Sequence, residues 1–340
     1  MIFNDTRISV IESFFLYYII LIKNNQNLLG VLCVTLAGAL FSCNDVAIKW
    51  LSSDYPLHQI ILFRSLFGLI FTVSFLVPLQ GGLKILKTNV LSYHIVRGFL
   101  VFFANLLFFM SLPLMNYAEA TAVFFIAPII ITLLSVIFLS EKIGPHRWTA
   151  IALGFIGVVL ILKPTSNSIQ LVAVLPAMAA VCYGTLHIFT RKMGSTEKAS
   201  TMAVYIQITL IFMSSLLGII IGDGRFESSA SEAFEFLLRP WVLPSLNDSF
   251  IILFLGLFSA FGGFFISHGY RISQPSKAAP FEYISLILSV MWGIFLFDEF
   301  PDLIAYFGII LIALGGIYIF IRESYKVAPN VSKRPIAKYK

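Results

Sequence analysis

Charge is what this chain has least of. Lysine, arginine, aspartate and glutamate make up 12% of its 340 residues, against 59% hydrophobic, and the mean hydropathy is +0.92. A water-soluble domain carries about 25% charged residues, so too little polar surface exists here to coat a soluble particle. The chain reads as an integral membrane protein. Cysteine is as scarce: Cys33, Cys43 and Cys182 all lie inside apolar runs, where a thiol is a small packing residue rather than half of a disulfide. Zinc-type Cys/His spacing is absent, and so is a GxxxxGK[ST] phosphate loop, which excludes that route to ATP hydrolysis. The net charge of +6 is not a nucleic-acid signal, because the basic residues sit in short loops and a tail rather than in a stripe interleaved with aromatics. Neither a metal, a cofactor nor a nucleic-acid partner is expected.

What the chain has in abundance is apolar segments of roughly 20 residues, each long enough to cross ~30 Å of hydrocarbon as a helix. Ten candidate spans run over about 28–51, 57–78, 91–112, 117–139, 147–162, 171–191, 200–221, 250–270, 277–297 and 303–321. With the N-terminus placed in the cytoplasm, the inner loops hold nearly all the lysines and arginines. The outer loops hold only Lys163, Arg225 and Arg239. That positive-inside bias sets the orientation and requires both termini on the cytoplasmic side. Residues 1–27 form an N-terminal extension whose apolar part, 8–22, is interrupted by Glu12 and suits the headgroup layer. Residues 322–340 are a basic tail, and Ser231 to Leu238 in the long outer loop is expected to form a short external helix.

An internal repeat organises the rest. The stretch from Ala120 to Ile161 returns as Ala278 to Ile319 at a constant offset of 158 residues, with Glu141 on Glu299, Leu153 on Leu311 and Gly157 on Gly315. Two five-helix units, 28–162 and 171–321, follow from this. Because each unit holds an odd number of spans, the copies must enter the membrane in opposite orientations, a design typical of secondary transporters. The charges agree: Lys142 and Arg147 follow the fourth span, Asp298 and Asp302 its repeat mate. The fold class expected is therefore all-α, with ten transmembrane helices in two inverted five-helix repeats.

Several residues carry a likeness to a known family. Arg64 in LFRSLFG, Pro128, the glutamates Glu141 and Glu299 ending the fourth and ninth spans, and the glycine-bearing spans that follow them resemble the EamA family of the drug/metabolite transporter superfamily. The strings NDVAIK, RGFL, APFEY and FDEFPD resemble the branch containing bacterial S-adenosylmethionine uptake transporters. The resemblance implies a central cavity between the halves, peripheral fifth and tenth helices, rocking alternating access and a place in the bacterial inner membrane.

Charge in hydrocarbon costs at least ~2.5 kcal/mol per group on insertion scales, so each such residue needs a partner or a wet cavity. Asp45 and Arg64 sit at similar depth near the outer side, which allows an ion pair serving either as a structural clip or as a gate. Asn44 and Asn105 are read as interhelical hydrogen-bond residues or as cavity-facing groups. Lys49 is expected to snorkel outward. Glu119 completes an outer cluster, and His187, His268 and Glu282 form an inner one. An offset of 142 places His187 on Asp45. Glu282, after Pro280 and before Tyr283, suits an organic cation through charge and cation–π contact, or a coupling proton. Tyr183, Tyr205, Phe125 and Trp292 are candidate lining aromatics. Glu141 and Glu299 are read as capping groups. Gly154, Gly157, Gly308 and Gly315 allow close helix approach, within the fold or in a homodimer.

The resulting expectation is a secondary transporter of a small polar, zwitterionic or cationic metabolite, with membrane lipids as its other partners. S-adenosylmethionine-like uptake is one version, and export of amino acids or their metabolites is the alternative. A membrane-embedded lipid-modifying enzyme would need acids or histidines gathered at one face. Here they divide between two, so no enzyme is expected.

Overall fold

A backbone amide in hydrocarbon finds no water to bond, which leaves helices and closed barrels as the structures that span a membrane. The computed structural model takes the first solution and has no strand among the residues it describes, which are 26–142, 144–162, 171–226, 232–300 and part of 303–318. The N-terminal extension before residue 26 and the basic tail after 321 lie outside them. The helices are α1 (Gln26–Leu51), α2 (Leu57–Gln80), α3 (Leu91–Ser111), α4 (Tyr117–Leu139), α5 (Pro145–Leu162), α6 (Val174–Lys192), α7 (Ala199–Ile221), α8 (Glu232–Leu238), α9 (Leu246–Ile272) and α10 (Pro275–Phe297). Described positions between 303 and 318 are also helical.

Seven of these, α1 to α4, α7, α9 and α10, are long and apolar enough to cross a membrane, against ten expected spans. Of the other three, α6 is diluted in apolar character by Thr185, His187, Thr190, Arg191 and Lys192, and the tenth expected span, 303–321, lies partly outside the described residues. The short helix expected from Ser231 is present as α8.

The loops divide the bundle into two ends. One carries Asp54, Asp223, Glu235, Asp298 and Glu299 and is called the acidic end below; the other carries Lys84, Lys87, Lys142, Lys192 and Lys198 and is called the basic end. The largest packed interfaces join the first half of the chain to the second. Helix α1 lies along α9, and α3 lies along α6, while α2 packs on both α7 and α9. At the basic end of the α1–α9 seam the backbones touch, because a Cβ on Gly269 would stand 2.8 Å from the Gly30 carbonyl oxygen. Gly154 and Gly315 are likewise used inside the fold, the first against the Tyr283 ring and the second against the Ala150 carbonyl.

Helices α4 and α10 are both broken. In α4 the helical segments Tyr117–Phe124 and Ala127–Leu139 are separated at Phe125–Ile126. Pro128 explains it, since its ring displaces the Phe124 carbonyl and it has no N–H to give. In α10 a 3-10 turn over Ala279–Tyr283, containing Pro280, separates Pro275–Ala278 from Ile284–Phe297. The interruptions stand about 158 residues apart, and Phe125 and Tyr283, which stand 158 apart, pack on each other as a tilted pair with ring centroids at 5.3 Å.

The far ends of the same two helices match as closely. Ser140 and Asp298 both take left-handed backbone (φ 53 in each), the conformation that stops a helix. The next residue in each case reaches across the bundle. Glu141 Oε2 accepts the Ser276 hydroxyl at 2.5 Å and the Ser276 backbone N–H at 3.3 Å, capping the start of α10. Glu299 Oε2 accepts the Tyr117 N–H at 2.9 Å, capping the start of α4, while its Oε1 takes Lys49 Nζ at 2.5 Å. Each carboxylate thus satisfies a helix N-terminus, where exposed N–H groups and the helix dipole favour negative charge. Lys49 therefore closes on Glu299 instead of reaching out to solvent, and its side chain is 13% exposed.

Candidate functional site

Between the two broken helices lies a cavity of about 150 Å³, walled by α1, α2, α3, α4, α6, α7, α9 and α10. Towards the acidic end its wall holds Asn44, Asp45, Arg64 and Asn105; towards the basic end it holds Arg97, Tyr183, His187, Ser267 and Glu282. Phe41, Phe108, Phe109, Phe124 and Phe125 belong to its apolar lining.

Arg64 is buried, and its guanidinium bonds two neutral amides: Nη1 donates to Asn44 Oδ1 at 3.0 Å and Nη2 to Asn105 Oδ1 at 3.2 Å. Its charge also faces the Phe109 ring at 5.8 Å. Asn44 is held in turn by donating to the Leu255 carbonyl at 3.1 Å, which ties α1 and α2 to α9. The expected Asp45–Arg64 ion pair is not formed, because the two amides occupy the guanidinium first. Asp45 has no hydrogen bond to any described residue and is half-buried in the cavity wall.

At the other end Glu282 is held by two tyrosines, Tyr183 donating to Oε2 at 2.8 Å and Tyr270 to Oε1. The same rings bracket His187, Tyr270 stacked at 3.9 Å and Tyr183 edge-on at 4.3 Å. Both ring nitrogens of His187 are buried without a hydrogen-bond partner among the described residues. Tyr183 also meets Phe124 at 5.2 Å, joining this cluster to the break in α4. Glu282 lies in the 3-10 turn that contains Pro280, and its carboxyl reaches Tyr183 of α6 and Tyr270 of α9.

Asp45, Arg64, Arg97 and Glu282 take part in no ion pair among the described residues. Two basic and two acidic side chains therefore share one wall without forming an ion pair among the described residues. Groups of three or more metal-ligating residues are absent among the described residues.

Residues 28–163 and 170–321 each match the model of the EamA-like transporter family. The chain belongs to that family. The transporter is similar to the S-adenosylmethionine uptake transporter of Rickettsia prowazekii, with 27% identity over 86% of this chain and 93% of the relative. It is also similar to the riboflavin transporter of Rhizobium johnstonii, with 25% identity over 89% of this chain and 94% of the relative. A solved crystal structure superposes with a TM-score of 0.69 over 87% of this chain and 98% of the other, at 17% identity, a likeness of fold alone. The transporter is a multi-pass membrane protein.

Of the residues singled out from the sequence, the structure brings Asn44, Asp45, Arg64, Asn105, Tyr183, His187 and Glu282 to the cavity. The others go elsewhere. Glu119 lies in an open vestibule at the acidic end beside Lys49, Asp54 and Glu299. Tyr205 donates to the Leu86 carbonyl at 2.9 Å and stacks on His94 at 4.3 Å, at the basic end. His268 stacks parallel to Phe264, and Tyr283 fills the seam against Phe125. Trp292 lies outside the lining and donates to Ser42 Oγ at 3.1 Å, whereas Phe125 does line the cavity. Sequence reading missed Arg97, which it counted among the loop charges. Its signal was available: it stands six residues inside an apolar segment, about 9 Å deep at ~1.5 Å per residue.

Proposed function

We propose that this transporter carries a small zwitterionic or cationic metabolite by alternating access, as a secondary transporter built from two inverted five-helix repeats, 28–162 and 171–321. The observation that carries the reading is the set of four cavity charges without ion pairs. A buried charge left without a counter-ion is unfavourable by several kcal/mol, so a wall bearing both signs suits a ligand bearing both signs. S-adenosylmethionine is such a molecule, with a sulfonium, an ammonium and a carboxylate; riboflavin carries no charge and leaves the wall uncompensated. The first of the two kinds of relative is therefore the better guide, and uptake of an S-adenosylmethionine-like compound is the specific form of the proposal.

The glutamate caps supply the gates. Lys49, Glu299 and Tyr117 close the acidic end, and Glu141 and Ser276 close the basic end. Opening one while the other holds exposes the cavity to one side at a time. The matched left-handed residues, matched breaks and exchanged caps support an inverted duplication, in which each half holds the other half's fourth helix. The positive-inside bias assigns the basic end to the cytoplasm of a bacterial inner membrane.

The test is uptake into liposomes by the purified protein. Labelled S-adenosylmethionine, amino acids, amines and riboflavin are compared with and without a pH gradient and in both directions. Saturable movement of the charged compounds, with riboflavin excluded, is the expected result. Riboflavin transport in preference to all of them overturns the charge argument.

A further inference from the structure

Arg97 has no ion-pair partner among the described residues. Its side chain is among the largest fully buried ones, at 1% exposure, and it forms part of the cavity wall. Among the described residues one hydrogen bond holds it, from Nε to Thr190 Oγ1 at 3.1 Å, and Nη1 is buried without a partner. Glu197, the acid whose field reaches it, is engaged elsewhere, by Thr88 Oγ1 at 2.8 Å and His94 Nε2 at 3.3 Å. A buried guanidinium with an unused N–H is costly, and it is retained where a ligand supplies the acceptor.

Among the unpartnered groups that line the same cavity, two stand at the depth of Arg97. His187, one turn before Thr190 on α6, has both ring nitrogens free, and Ser267 Oγ on α9 is also buried without a partner; both line the cavity. Arg97, His187 and Ser267 come from three helices and stand about 8–9 Å from the basic end at ~1.5 Å per residue. Together they offer several hydrogen-bond donors and only one formal positive charge. Glu282 sits beside them through the tyrosines that bracket His187. A dianionic phosphate there would meet that carboxylate with excess negative charge. A singly charged carboxylate matches the guanidinium and leaves Glu282 for a ligand's cation.

We propose that Arg97, with His187 and Ser267, is the seat for a substrate carboxylate and makes the transporter selective for carboxylate-bearing metabolites. The assignment rests on the transport reading above but names a site that reading does not need. Arg97 grips the carboxylate oxygens through Nη1, Ser267 donates its hydroxyl, and His187 donates from the ring nitrogen that faces them. Lysine does not replace the planar fork, because its ammonium is a point donor.

Matched pairs of probes test this: S-adenosylmethionine against its decarboxylated form, and methionine against its methyl ester. Transport is read in liposomes. Binding is read separately, as the thermal stabilisation each probe gives the purified protein. In the wild type, the carboxylate-bearing member of a pair is expected to bind about tenfold or more tightly, the scale of one charge-assisted hydrogen bond. In Arg97→Gln that preference disappears, with the decarboxylated member's affinity held within about twofold, and Ser267→Ala loses part of it. An equal loss for both members of a pair marks Arg97 as structural and overturns the seat. If Arg97→Gln does not fold, the wild-type pairs and Ser267→Ala decide alone, and absence of a carboxylate preference overturns the seat. Carboxylate-dependent stabilisation without transport upholds the seat and overturns the transport reading. Transport without carboxylate preference does the reverse, and neither signal overturns both.

Discussion

Asp45 and Arg64 were read from the sequence as partners, and the reason they are not shows what each does. Arg64 is clamped by Asn44 and Asn105, amides that cost little to bury and fix three helices around one guanidinium. Asp45 stands beside this arrangement unbonded. Asp45 makes no hydrogen bond to a described residue that the change would break, and an amide is cheaper to bury than a carboxylate, so Asp45→Asn is expected to leave the melting temperature unchanged or raised while lowering uptake of cationic substrates about tenfold or more. Arg64→Lys is expected to do the opposite to stability, costing about 1–3 kcal/mol, because one ammonium cannot span both amides. Thermal unfolding in detergent and liposome uptake, measured on the same preparations, check the pair. A destabilised Asp45→Asn sinks the reading of that carboxylate as a ligand group. Glu282 differs because the protein already satisfies both its oxygens. Glu282→Gln puts an amide N–H opposite one tyrosine donor, so it is expected to cost stability, about 1–3 kcal/mol, as well as uptake. Full uptake with unchanged pH dependence in that variant removes Glu282 from the site.

At the scale of the element, the sequence disclosed more than is usual for a chain so apolar. The constant offset located the two glutamates, whereas 117–139 and 277–297 read as uninterrupted spans although Pro128 and Pro280 stand at the breaks in α4 and α10. What each glutamate caps was not legible. A helix N-terminus 135 residues away for Glu141, or 182 residues away for Glu299, leaves no local trace. Arg97 is a different case: its depth in the apolar segment was readable, but that this depth opens on the cavity wall was not. If the caps are gates, their removal acts on opposite ends. In a cysteine-free background with Ser259→Cys in the cavity wall, Glu299→Ala is expected to speed labelling by an impermeant maleimide several-fold from the acidic side, and Glu141→Ala from the basic side. Equal effects from both sides mean that the caps hold helices in place without gating. The α1–α9 seam gives a control of another kind. Gly269→Ala brings a Cβ to 2.8 Å from the Gly30 oxygen and is expected to cost about 1–3 kcal/mol by overpacking, without favouring either side.

For the molecule as a whole, the strongest interfaces cross between halves, so neither half is expected to keep its shape alone. Helix α1 needs α9 and α6 needs α3, while the two broken helices hold each other's ends. Composition made the membrane setting legible, because 12% charge leaves no other solvent. It did not make the cavity legible, since cavity walls and helix seams draw on the same phenylalanines and small residues. The decisive question at this scale is orientation. In an inverted pair, repeat mates must lie on opposite sides of the membrane. Lys142, just after the fourth helix, and Phe300, its mate at the offset of 158, are suitable marks. Reporter fusions that are active only in the cytoplasm or only outside it are expected to place a junction at Lys142 in the cytoplasm and one at Phe300 outside. Junctions after Asp54 and Lys87, in the first two loops, give outside and inside as internal standards. Lysine and arginine crowd the loops assigned inside, so adding arginines beside Asp298 should weaken the outside signal at Phe300 without moving that at Lys142. Mates found on the same side would contradict the exchanged caps, because a Glu299 on the cytoplasmic face could not reach the start of α4 while Glu141 on that same face reached the start of α10.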